Sequence, residues 1–75
     1  MNLQTLRYVV TIAQTGSLSK ASQYLFVSQS TLSRSVKELE QQLGISLFFR
    51  TNQGVQVTHD GEEFISRANQ ILMDI

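Results

Sequence analysis

Ser28-Gln29-Ser30-Thr31-Leu32-Ser33-Arg34-Ser35-Val36-Lys37-Glu38-Leu39-Glu40 is the stretch whose reading decides the fold. Leu32, Val36, Leu39 and the following Leu43 recur at spacings of 4, 3 and 4, the signature of one buried helical stripe. At about 100° per residue, Ser30, Ser33, Arg34, Lys37 and Gln41 gather on the opposite side. That outer face offers small hydroxyls, an amide and two cations, and no large apolar group. Small side chains let a helix approach a surface closely, and Arg and Lys neutralise phosphate or read guanine edges. A merely solvated helix face has the same composition. The segments on either side decide between the two readings.

Upstream, Ser17 caps a short helix from Leu18 to about Leu25 that buries Leu18, Ala21 and Leu25. Phe26-Val27-Ser28 leaves room only for a tight turn before Ser28 caps the next helix, residues 29–43, which Gly44 stops. Two helices joined in this way have helix-turn-helix geometry, in which the second projects from the body with its first turns outward. The usual turn glycine is missing, so spacing alone leaves the motif open. At the start of the chain, Asn2 caps a first helix whose buried side is Leu3, Leu6, Val10 and Ala13, and Gly16 ends it.

Downstream of Gly44 the period changes. Ser46–Thr51 and Val55–Thr58 are β-prone runs around Asn52-Gln53-Gly54, and they read as a hairpin. A hairpin directly after a helix-turn-helix is a wing, with Asn52 and Gln53 at its tip. Two strands alone are barely stable, so Leu47, Phe48, Val55 and Val57 are expected to pack partly on the helices, leaving Phe49 more exposed. A last helix, residues 59–75, is expected to start at Thr58 or Asp60 as cap, with Asp60, Glu62 and Glu63 at its positive end. Gly61 in its first turn reads as a cost of about 1 kcal/mol against alanine.

The whole is one mainly α domain with no cysteine, hence no disulfide or thiolate metal site. A single histidine and no cysteine cannot assemble the nitrogen and sulfur ligands of zinc, and no cofactor is expected. No apolar run approaches the roughly 18 residues of a membrane span, and no signal peptide opens the chain, so a cytoplasmic domain is expected. The net charge of zero hides an asymmetry. Residues 1–57 carry five cations against two anions, and residues 58–75 carry one against four. A nucleic-acid module followed by an acidic helix has this pattern, but so does any helix with an acid-rich first turn.

With the elements placed, a resemblance emerges. Gly16-Ser17-Leu18-Ser19, Ala21, Leu25, Val27-Ser28-Gln29-Ser30-Thr31-Leu32-Ser33-Arg34, Val36, Leu39-Glu40, Leu43-Gly44, Leu47-Phe48 and Arg50 resemble the N-terminal domain of LysR-type transcriptional regulators. Val57-Thr58 and Gly61 are similar to the segment that opens the family's linker helix. The resemblance covers the chain from Leu3 to Ile75. It implies a winged helix-turn-helix, residues 1–57, followed by a linker and dimerisation helix, residues 58–75. It further implies homodimers on double-stranded operator DNA, with helix 29–43 in the major groove. Gln29, Ser30, Ser33 and Arg34 match family positions that face base edges, and Ser28, Thr31, Lys37 and Arg50 match positions near the sugar-phosphate backbone. A small-molecule co-inducer is implied only through an effector domain that these residues do not include, so the chain is expected to be part of something longer. Ser30 stands where the family often has proline, Ser22 where a second alanine is frequent, and Gln53 where many members carry a wing-tip arginine. Asp60 replaces a common alanine.

Phe64, Ile65, Ala68, Ile71, Leu72 and Ile75 form the apolar stripe of the last helix. Phe64, Ala68, Ile71 and Ile75, or else Ile65, Ala68, Leu72 and Ile75, give coiled-coil spacing for a dimer seam, with the remainder on the domain's own core. A protein-interaction winged helix is the competing reading. It draws on Glu38 and Glu40, and it is weakened by the expected lack of an exposed aromatic anchor beside Arg34 and Lys37. No enzyme is expected. His59 is the only candidate base, and with Asp60 adjacent in sequence no triad geometry follows.

Overall fold

Capping chemistry sets three of the four helices. In the computed structural model, which describes Met1–Ile75, α1 spans Leu3–Thr15, with the Asn2 side chain accepting from the Thr5 amide and Gly16 closing the far end. Helix α2, Leu18–Leu25, starts where Ser17 accepts from the Lys20 amide. Helix α3, Gln29–Leu43, starts where Ser28 accepts from the Thr31 amide and ends at Gly44. Each such cap holds a donor that the helix cannot satisfy itself, a contribution of about 1 kcal/mol.

Helix α1 is the centre of the molecule, and more of it is buried than one stripe predicts. Tyr8, Val9 and Ile12 join Ala21, Leu32, Val36, Leu39 and Leu47 in the main core. Leu6 and Val10, on another side, meet Ala68 with Phe64 and Leu72. Leu3, expected inside, is 47% exposed, and Leu18 and Leu25 are half-buried against the core. A helix packed from several sides has no single stripe, which is why spacing alone missed Tyr8, Val9 and Ile12.

Strands β1, Phe48–Thr51, and β2, Gly54–Val57, pair antiparallel with Phe48 opposite Val57 and Thr51 opposite Gly54. Strand β1 is two residues shorter than expected and β2 starts and ends one residue earlier, and the turn is Asn52-Gln53 alone, because Gly54 belongs to the ladder. Below the strands, the Thr58 amide donates to the Leu47 carbonyl at 2.9 Å and the Thr58 hydroxyl donates to the Ser46 carbonyl. The wing is bolted to the corner between α1 and α2, where the Val55 amide donates to the Gly16 carbonyl at 2.9 Å. A Cβ on Gly54 would lie 2.3 Å from that same oxygen, so only glycine lets the strand come this close.

Helix α4 spans Glu62–Met73, 12 residues instead of the 17 expected. Neither proposed cap acts as one. The Thr58 hydroxyl accepts from the Gly61 amide at 2.9 Å and so closes a turn before the helix, while Asp60 makes no capping bond. Gly61 is buried, and a Cβ there would meet the Leu47 carbonyl oxygen at 2.9 Å and its Cα at 3.0 Å. The glycine is therefore a packing requirement and not a propensity defect. No helix is long and apolar enough to cross a membrane.

Candidate nucleic-acid interface

The interface is built from the exposed side of α3 and the adjacent strand of the wing. Burial of Leu32, Val36 and Leu39 fixes the rotation of α3, each side chain contributing about 1.5–3 kcal/mol. That rotation leaves Gln29, Ser30, Arg34 and Lys37 exposed and Ser33 and Thr31 half-buried. Between α3 and the wing runs a cleft walled by Ser33, Lys37 and Glu40 on one side and by Phe49 and Arg50 on the other. Its floor includes Ile12, Val36, Phe48 and Val55. The fold thus brings Ser33, Lys37 and Arg50 together, residues that the sequence separates. Arg34 lies outside the cleft lining, and Asn52 and Gln53 are exposed at the tip.

At the start of α3 three hydroxyls form a linked set. The Ser28 hydroxyl accepts from the Thr31 amide at 3.1 Å, donates to the Thr31 hydroxyl at 2.8 Å and lies 3.1 Å from the Ser30 hydroxyl. The Leu32 amide is held by the Ser28 carbonyl, while those of Gln29 and Ser30 have no partner within the chain. They sit at the positive end of the helix dipole, where an anion is favoured.

The electrostatics turn on who is paired. The one ion pair joins Glu63 and Arg67 on α4 at 3.4 Å, so Arg34, Lys37 and Arg50 have no acidic partner. Glu40, half-buried in the cleft wall, has one carboxylate oxygen engaged within the protein. Its Oε2 accepts from the Leu47 amide at 2.6 Å and from the Phe48 amide at 3.4 Å, fastening α3 to the base of the wing. Sequence reading missed this role, and no local pattern announces a bond across the helix end and Gly44. Glu38 lines a depression with Met1 and Thr5, on the side of α3 away from the wing. The expected lack of an exposed aromatic beside Arg34 and Lys37 does not hold at Lys37, where Phe49, 46% exposed, lines the same cleft. Tyr24 at the end of α2 and Phe26 in the turn are exposed as well, at 75% and 94%.

The α4 stripe divides between inside and outside. Phe64, Ala68 and Leu72 lie on α1, and Ile65 packs against the main core. Ile71, Met73 and Ile75 stay exposed. Neither seam spacing is therefore wholly free, since Ala68 belongs to both and is 2% exposed. An apolar groove remains, lined by Met1, Leu3, Leu6, Phe64, Ala68 and Ile71.

Known proteins share this architecture. The sequence model of the bacterial regulatory helix-turn-helix proteins of the lysR family matches residues 3–62. The HTH-type transcriptional regulator ClcR of Pseudomonas putida is 38% identical over 72 residues, covering 96% of this chain and 24% of that protein. The present chain thus spans about a quarter of that relative's length. A crystal structure of the CbnR DNA-binding domain in complex with DNA superposes with a TM-score of 0.90 at 33% identity, covering 97% of this chain and 84% of that one. The DNA-binding domain of BenM, solved in complex with catB site 1 DNA, gives a TM-score of 0.93 at 36% identity, covering 99% of this chain and 83% of that one. Unpaired cations on a projecting second helix, a wing beside it and these likenesses converge: the chain folds as a winged-helix DNA-binding domain and belongs to the lysR family of bacterial regulatory helix-turn-helix proteins.

Proposed function

We propose that residues 1–57 read operator DNA with α3 in the major groove, while the helix that follows pairs two copies on a two-half-site operator. The observation that carries the reading is that three of the five cations without acidic partners, Arg34, Lys37 and Arg50, lie on α3 and the neighbouring strand, the other two being Arg7 on α1 and Lys20 on α2. Gln29, Ser30, Ser33 and Arg34 face base edges in this reading. Arg34 suits guanine, because its planar fork matches the two acceptors of that base. Lys37 and Arg50 flank one cleft and hold phosphates, together with the Thr31 hydroxyl and the Ser28 end of α3. Pairing of copies uses the exposed part of α4, above all Ile71, with Ile75 just beyond its end and the groove beside Leu3.

Set on operator DNA in the cytoplasm, the module binds and does not transform a substrate. It needs no cofactor. In the whole protein a small co-inducer acts through an effector domain outside these residues. Selection from a random double-stranded pool tests the reading. An imperfect palindrome with half-sites about 34 Å apart or a multiple of it is expected, A·T-rich by family likeness. A pool that shows no enriched sequence after selection contradicts it.

A further inference from the structure

We infer that Phe26, in the turn between α2 and α3, is a DNA-reading residue whose ring contacts a thymine methyl group beside the N-terminal end of α3. The inference rests on the operator-binding reading above. Three helices end on a left-handed residue: Gly16 at φ 66°, Phe26 at φ 59° and Gly44 at φ 72°. Two of these are the residue that adopts this conformation freely. Phe26 is the only non-glycine with positive φ in the chain, and a Cβ is disfavoured there by its own carbonyl.

The turn itself is used, because the Phe26 amide and, at 3.1 Å, the Val27 amide both donate to the Ser22 carbonyl and close α2, but the phenylalanine side chain gains nothing inside the molecule. The neighbours Leu25 and Val27 both pack against the core, which forces the residue between them outward. The ring of Phe26 is 94% exposed, the highest value among the large exposed apolar side chains. A single exposed apolar residue is ordinary. An exposed ring on a backbone that favours glycine is not, because replacing the residue with glycine would relieve strain and lose no burial. Tyr24, also exposed, sits in regular helix and supports no such argument.

Position decides the occupant. Phe26 precedes by two residues the Ser28 cap and by three Gln29, the start of the surface assigned to base reading. A recognition helix contacts bases with its N-terminal residues, so the turn before it lies at the mouth of the major groove. The apolar group exposed there is the C5-methyl of thymine, and phenylalanine is among the side chains that contact it.

The test uses the chain as it is, on its selected operator and on the same duplex with uracil replacing thymine one position at a time. Phe26→Gly and Phe26→Asn are expected to weaken binding about tenfold, with the melting temperature not lowered. The salt slope should be unchanged, because no phosphate contact is lost. One or two uracil positions should weaken the wild type by a similar factor and leave Phe26→Gly unaffected. Unchanged affinity in both variants would overturn the inference and leave the ring to a protein partner. So would lost affinity with every uracil position silent, which would place the ring on sugar. A lowered melting temperature would show an internal role and remove the premise. Failure of the operator reading looks different, since the wild type itself would then prefer no sequence.

Discussion

Helices α3 and α4 are both amphipathic and both carry charges of each sign, yet they place those charges in opposite ways. On α3 the acid nearest the wing turns inward and binds two amides, so that Arg34 and Lys37 are left without partners. On α4 the one cation, Arg67, is matched one turn away by Glu63. Both members of that pair are nearly four-fifths exposed, so it contributes little to stability, but it cancels charge locally. The apolar surfaces differ as well. The exposed side of α3 has no large apolar residue, whereas α4 leaves Ile71 and Met73 in solvent with Ile75 just beyond. In the proposed reading one helix meets a polyanion and the other a second apolar surface. A net charge of zero conceals this division, because what matters is which charges are already satisfied.

The largest expected effect breaks the α4 side. Ile71→Glu places a charge on the exposed apolar face without entering the core, so circular dichroism should be unchanged while sedimentation shifts toward monomer. Binding to a two-half-site operator should fall about a hundredfold, as avidity is lost, and binding to one half-site should survive. Leu72 is the poorer choice, since it packs on α1 and its replacement would disturb the fold.

Next comes Glu40→Ala on α3. Loss of the acceptor strands the Leu47 and Phe48 amides and should cost about 2 kcal/mol, read as a melting temperature lower by about 8–16 °C. If Glu40 were merely a repelling charge, its removal would tighten DNA binding and leave stability alone. Arg34→Ala should weaken the selected operator about tenfold and relax preference at one position, with random DNA much less affected. Equal loss on both DNAs would make Arg34 a phosphate clamp. Gln53→Arg should give the smallest change, a modest gain for A·T-rich flanks whose narrow minor groove concentrates negative potential.

Much of this division was legible in the residues, and the failures share a cause. Asn2, Ser17, Ser28, Gly16 and Gly44 marked their helix ends correctly because capping is local. The start of α4 was misplaced because the Thr58 hydroxyl is engaged by the base of the hairpin and by the turn before the helix. Gly61 was misjudged because its reason, close approach to Leu47, lies in another segment. The inward role of Glu40 and the burial of Tyr8, Val9 and Ile12 are likewise tertiary. Among the site residues, exposure of Ser30, Arg34 and Lys37 followed from helical period, whereas Ser33, placed on the same face, is half-buried. Proximity of Lys37 to Arg50 needed the wing to be docked.

In this reading the cations of α3 and the wing, which have no acidic partner, hold the DNA, and the charge of the chain as a whole does not. Operator affinity measured across a salt series for the wild type, Lys37→Ala, Arg50→Ala and Arg67→Ala tests it most directly. The log–log slope is expected to fall by about 1 for Lys37→Ala and by about 1 for Arg50→Ala, while Arg67→Ala leaves it unchanged. Equal slope losses for all three variants, or none for the first two, would contradict it.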